Sequence, residues 1–178
     1  MTSATIEQRL SALRQDFDQS FARAAGGPQP SQLDFLAIVV AGDAYAIRLS
    51  EVRSLHAERK LVPAPSLLPE LLGVCGFRSV LTPVYDLAQL LGYAAEPTAR
   101  WLVIVEAASP IAFAFGGFDS HLRVSLESVS APETSNGGAA AVGGAVRDQG
   151  ITRPLLHLPS LVEAIARRIK AQRPSQER

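Results

Sequence analysis

Apolar residues recur at spacings of three and four near the start of the chain, then switch to short, closely spaced runs. Ile6, Leu10, Leu13, Phe17 and Phe21 share one stripe of a helix predicted over residues 3–25. Thr5 with Gln8 forms a capping-box pattern at its start. Gly26, Gly27, Pro28 and Pro30 stop the helix and make a linker. The stripe either folds back on the body of the protein or docks on a partner. From about Leu33 the pattern is that of strands. Phe35–Val40 and Ala44–Arg48 flank Gly42-Asp43 as a hairpin, and Pro63, Pro65 and Pro69 then break regular structure. Leu71–Phe77 and Val80–Val84 read as strands around a tight turn at Arg78-Ser79, and Leu87–Leu91 as a helical turn closed by Gly92. Further strands are expected at Arg100–Glu106, Ile111–Phe115, Leu122–Leu126 and Thr152–Leu158, with a loop rich in Gly, Ala, Ser and Asn over Thr134–Gly144. Ser160 and Glu163 suggest a capping box opening a last helix, whose apolar side carries Leu161, Val162, Ile165 and Ile169. Arg167, Arg168 and Lys170 suit the negative end of that helix. The expected organisation is a helix and linker over residues 1–28, a body over 33–169 and a polar tail over 170–178.

The body contains an internal repeat. Pro83-Val84-Tyr85-Asp86-Leu87-Ala88-Gln89-Leu90-Leu91 aligns without a gap on Pro154-Leu155-Leu156-His157-Leu158-Pro159-Ser160-Leu161-Val162. Continued backwards, the same alignment sets Gly73 on Gly144, Arg78 on Gln149 and Val80 on Ile151. Further upstream Phe35–Val39 falls on Trp101–Val105 at a slightly different offset. Two β units of roughly 60–70 residues, each near the lower limit of independent stability, would share a core. Many short strands with close turns suit small barrels, which also hide strand edges.

Composition narrows the function. The chain has 178 residues, 47% of them hydrophobic, which is ample for one core. Its 17 basic and 17 acidic side chains balance, and no basic stripe suggests nucleic acid. The longest apolar runs fall far short of the roughly 20 residues that span a bilayer. No signal-peptide pattern opens the chain and Cys75 is the single cysteine, so a cytoplasmic protein without an intrachain disulfide is expected. Cys75 lies between apolar neighbours with no His at a family-like spacing, so it reads as a buried structural thiol rather than a nucleophile. His56, His121 and His157 lack metal-ligand spacing, and no phosphate-binding loop is present. No cofactor, metal or catalytic residue is expected, and the chain does not read as an enzyme.

The stretch Gly73–Gly92 resembles the signature of the CheW family of chemosensory coupling proteins. That signature is an apolar strand, an Asn-Leu-Arg-Gly turn, a second strand ending in Pro-Val-x-Asp-Leu, and a short helix closed by Gly. Arg78, Pro83, Val84, Asp86, Leu87 and Gly92 match it. Phe35–Val40, Tyr45-Ala46-Ile47 and Val52 resemble the family's opening hairpin, and the likeness extends over about residues 33–169. The resemblance implies a mainly β fold of two intertwined five-stranded SH3-like barrels, with the N-terminal and C-terminal helices added. It implies a bacterial adaptor that couples the cytoplasmic tips of chemoreceptors to the regulatory domain of a CheA-type histidine kinase, alongside other CheW-like proteins in arrays. Neither nucleic acid nor membrane insertion belongs to that role.

The resemblance also suggests site residues. Arg78, at a turn tip, is expected to present its guanidinium to a partner, the alternative being a solvated or structural arginine. Phe77 beside it joins the expected interface. Val52, Leu55 and Val80 correspond to positions that help line the family's receptor groove, with plain core packing as the alternative. Asp86 reads as a helix N-cap. Gly76 and Ser79 stand in place of the turn's Asn and Gly. Arg53 and Ser54 stand where an acidic residue is usual, Gly116 replaces an Asp that often ends the second-half hairpin, and His157 replaces the second-half Asp. These departures leave two outputs open, a standard flagellar system and a divergent array governing surface motility or another output. The alternative is a divergent module that docks another partner through its N-terminal helix and no longer couples a kinase.

Overall fold

The computed structural model describes residues 32–95, 99–131 and 141–172. The expected helix over 3–25 and its linker, most of the expected loop and the end of the tail lie outside the described residues.

The first half supplies β1 (Gln32–Val40), β2 (Asp43–Arg48), a 3-10 turn (Leu49–Glu51), β3 (Val52–Ala57), β4 (Leu71–Phe77), β5 (Val80–Asp86) and the short helix α1 (Leu87–Leu90). The second supplies β6 (Trp101–Val105), β7 (Ala112–Phe115), β8 (Gly117–Ser125), a 3-10 turn (Leu126–Ser128), β9 (Val129–Ser130), β10 (Val142–Asp148), β11 (Ile151–Leu156) and α2 (Leu158–Gln172). One sheet has the order β8-β1-β2-β11-β10-β9 and the other β3-β6-β7-β5-β4. Strand by strand, β8, β1, β2, β11 and β10 play the parts that β3, β6, β7, β5 and β4 play in the other sheet. The parallel pairs match too, β2 with β11 and β7 with β5. Each half thus gives its hairpin to one sheet and its remaining strands to the other, so the fold is mainly β and intertwined. The sixth strand β9 has a reduced counterpart, the Val62–Val74 bridge beside β4.

The central strands are buried on both faces, which explains their unbroken apolar runs. Along β1, Leu36, Ile38 and Val40 enter the core between the sheets, whereas Phe35 and Ala37 enter a separate cluster with Ala46, Leu122, Val124, Val146 and Leu155. All five main strands contribute to that cluster, so the sheet is rolled around it. In the second sheet Val103, Val105, Phe113 and Phe115 join the shared core, and Leu102, Ile104, Ala112, Ala114, Phe77 and Cys75 form the private one.

Two sequence alignments fare differently. Gly73 and Gly144 are indeed equivalent. Each sits at a register shift, at φ +146° and +128°, where an added Cβ would lie 2.3 Å from the Val62 carbonyl oxygen or 2.2 Å from that of Ser130. Only a residue without Cβ fits such an approach. The upstream match is one residue out. Ala46 pairs with Ala37 and faces Leu155, while Ala112 pairs with Ile104 and faces Val84, which sets Phe35 on Leu102 rather than Trp101. A slip of one residue exchanges the two faces of a strand, and Trp101 packs on the shared core rather than the private one.

Other boundaries also shift. Val142–Gly144, expected as loop, begins β10, because Gly144 is held at the bulge against Ser130. Val52–Ala57, not anticipated as a strand, is β3. The last helix starts at Leu158, ahead of the Ser160–Glu163 box. His157 Nδ1 accepts the Ser160 backbone N–H at 3.3 Å, and the Glu51 carboxylate from the first half accepts the Leu158 N–H at 2.8 Å. Arg168, expected to suit the negative end of the helix, also pairs with the nearly buried Glu70.

Candidate functional site

Two residues of left-handed backbone make the tight turn between β4 and β5, Arg78 at φ 47° and Ser79 at φ 68°. Both central residues at positive φ define the type I′ hairpin turn that suits the strand twist. Its twin between β10 and β11 has Gln149 at φ 46° and Gly150 at φ 82°. Arg78 is exposed at this turn and makes no hydrogen bond or ion pair among the described residues.

Beside this turn opens a cavity of about 480 Å³ at one end of the second sheet's private core. Phe77, Ile104, Val80 and Pro110 supply apolar lining, and Thr82, Ser54 and His56 supply polar groups. Arg53, Arg59 and Arg78 line it as well, and among the described residues no carboxylate does. The cavity exists because of β3. In the first sheet Leu122 of β8 stands opposite Phe35 and fills the private core. The equivalent place opposite Leu102 belongs to the half-buried His56, whose ring meets that of Phe77 with centroids 4.7 Å apart. His56 Nε2 bonds Ser54 Oγ at 3.0 Å, and the Arg59 guanidinium carbon lies 5.8 Å above the Phe77 ring centre. Burial first, then the Arg59 and Arg78 charges, hold the His56 imidazole below its ordinary range.

The candidate residues named from sequence are not all together. Phe77, Arg78 and Val80 line this cavity; Phe77 is buried and Val80 is 49% exposed. Val52 and Leu55 lie on the opposite face of β3, half-buried against the core between the sheets. A bulge at Arg53 puts them on one face despite their odd spacing, and leaves Ser54 and His56 toward the cavity. Sequence reasoning did not single out the other lining residues as contacts, the charged or titratable Arg53, His56 and Arg59 among them. Asp86 is fully buried at the start of α1, its Oδ1 accepting the Ala88 N–H at 2.9 Å. Cys75 is buried within the private core of the second sheet. Among the described residues no cluster of His, Cys, Asp and Glu suits a metal ion, and no helix is long and apolar enough to cross a membrane.

Comparison with known proteins agrees with the architecture. The profile of the CheW-like domain matches residues 34–166. The scaffolding protein TtCheW from Thermoanaerobacter tengcongensis superposes with a TM-score of 0.67 over 74% of this chain and 92% of its own, at 16% sequence identity. Among curated proteins no sequence matches significantly. A match across both halves of the described body, the exchanged hairpins and the paired glycine bulges lead to one conclusion: the chain belongs to the CheW-like domain family.

Proposed function

We propose that the chain is a non-catalytic adaptor of a bacterial chemosensory system, joining the cytoplasmic tips of chemoreceptors to the regulatory domain of a CheA-type histidine kinase. It works in the cytoplasm at receptor arrays, beside other CheW-like proteins. The observation that carries the reading is the family match over residues 34–166 on a fold made of two exchanged β units. The turn bearing Arg78, with Phe77 and Val80, offers a fixed surface for the kinase domain, and half-buried Val52 and Leu55 offer one for the receptor. Arg53 and Ser54 in place of an acid, and Ser79 in place of glycine, favour a divergent, non-flagellar pathway. The test is direct binding of the full chain to the kinase regulatory domain and a receptor-tip fragment from the same organism. Wild type is expected to bind both, and Arg78→Glu to lose at least tenfold for the kinase domain. Unchanged affinity in the variant removes Arg78 from the contact; no binding to either partner defeats the adaptor reading.

A further inference from the structure

The cavity beside Arg78 joins two properties that seldom meet by accident. Its volume of about 480 Å³ lies within the roughly 300–1,000 Å³ of ligand clefts, and most of its lining is apolar. Three arginines nevertheless line it in a chain whose charges balance overall. Their internal neutralisation is slight. Arg53 meets Glu106 only at 3.8 Å, with both side chains more than half exposed. The nearby acid Glu58 is engaged by Arg100 at 2.9 Å. Among the described residues neither Arg59 nor Arg78 pairs with an acid; Arg59 reaches His56 at 3.5 Å and lies over the Phe77 ring. His56, kept below its ordinary range, does not add its charge at neutral pH, so the guanidinium groups set the potential. A cleft of low dielectric lined by one sign of charge concentrates that potential on whatever enters.

We propose that this cavity receives a stretch of a polypeptide partner in which an acidic side chain stands next to an apolar one. The carboxylate meets Arg59 and Arg78, whose planar forks suit it, while the apolar neighbour covers Phe77, Ile104 and Pro110. The inference rests on the adaptor reading only in taking the partner to be a protein. It adds what that partner must present: negative charge, where an adaptor with an acid at position 53 or 54 would neutralise Arg78 from within.

The test uses the full chain, labelled with nitrogen-15, and a capped peptide Gly-Leu-Glu-Leu-Glu-Gly, with a twin carrying Gln for both Glu. At low salt the acidic peptide is expected to shift the amide signals of His56, Gly76, Phe77 and Arg78 and to bind at least tenfold more tightly than its twin, with the difference shrinking as salt rises. Arg59→Gln and Arg78→Gln are each expected to weaken binding fivefold or more, whereas Glu106→Gln, which releases Arg53, strengthens it. All these groups are exposed, so loss of folding is not the expected cause, and the amide spectrum of each variant verifies it. Equal binding of the two peptides, no binding of either, or shifts confined to another surface overturns the proposal. Binding to the kinase domain and receptor tip is scored separately, so a failed adaptor reading and a failed cavity reading give different patterns.

Discussion

At the scale of single residues, the turn between β4 and β5 carries a cost that its twin avoids. Ser79 holds a backbone at φ 68° that glycine takes freely, and Gly150 occupies the matching place. Ser79→Gly is therefore expected to raise stability by about 0.5–1 kcal/mol, since relief of left-handed strain exceeds the added freedom of the unfolded chain. The midpoint of urea unfolding checks it. His56 gives a second prediction. Burial, helped by Arg59 and Arg78, lowers its titration below 6.5, so the unfolded chain takes up this proton first as pH falls. The His56 contribution to stability is thus full above 6.5 and declines as pH is lowered toward the folded midpoint. Arg78→Ala is expected to move that midpoint upward while leaving it below 6.5, because burial is the larger cause; carbon-13-edited NMR titration of the imidazole reads it directly. An unmoved midpoint would show that Arg78 points away from the ring.

At the scale of elements, the sequence makes legible whatever depends on neighbours along the chain. The runs at Leu71–Phe77 and in β1 and β2 stand where apolar runs and turn residues placed them, and the equivalence of Gly73 and Gly144 emerges from the repeat. Features set by distant residues were not legible. β3 reads poorly because a bulge at Arg53 breaks its period, and because polar Ser54 and His56 replace the apolar residues a private core normally takes. That same break hides the cavity, although the arginine standing in an acid's place was the one signal of it in the sequence. The cap of α2 is equally remote, since Glu51 reaches Leu158 from the other half. Glu51→Ala strands a buried N–H at the helix start and is expected to cost about 1–2 kcal/mol. Glu51→Gln, which keeps an acceptor oxygen, is expected to recover most of it. Denaturant unfolding of both variants tests the contact, and equal losses would point to charge rather than the hydrogen bond.

At the scale of the whole molecule, the exchange of hairpins makes each half insufficient. The first half holds β1 and β2 without the sheet they belong to, and the second holds β6 and β7 likewise. Fragments 1–95 and 96–178, expressed apart, are expected to lack dispersed amide spectra, and to gain them when mixed. A folded spectrum from either fragment alone would show that its strands can close on themselves. The shared core reinforces the expectation, because Leu36, Ile38 and Ile47 of one sheet pack with Val103, Phe113 and Phe115 of the other. The exchange also has a bearing on history. A lone unit of this kind completes its sheet only with the hairpin of a second copy, so its natural precursor is a homodimer of arm-trading subunits. Covalent joining of two such units makes the exchange independent of concentration. It also frees the two halves to differ, as they do here: Leu122 fills one private core, whereas a cavity lies beside His56 at the other.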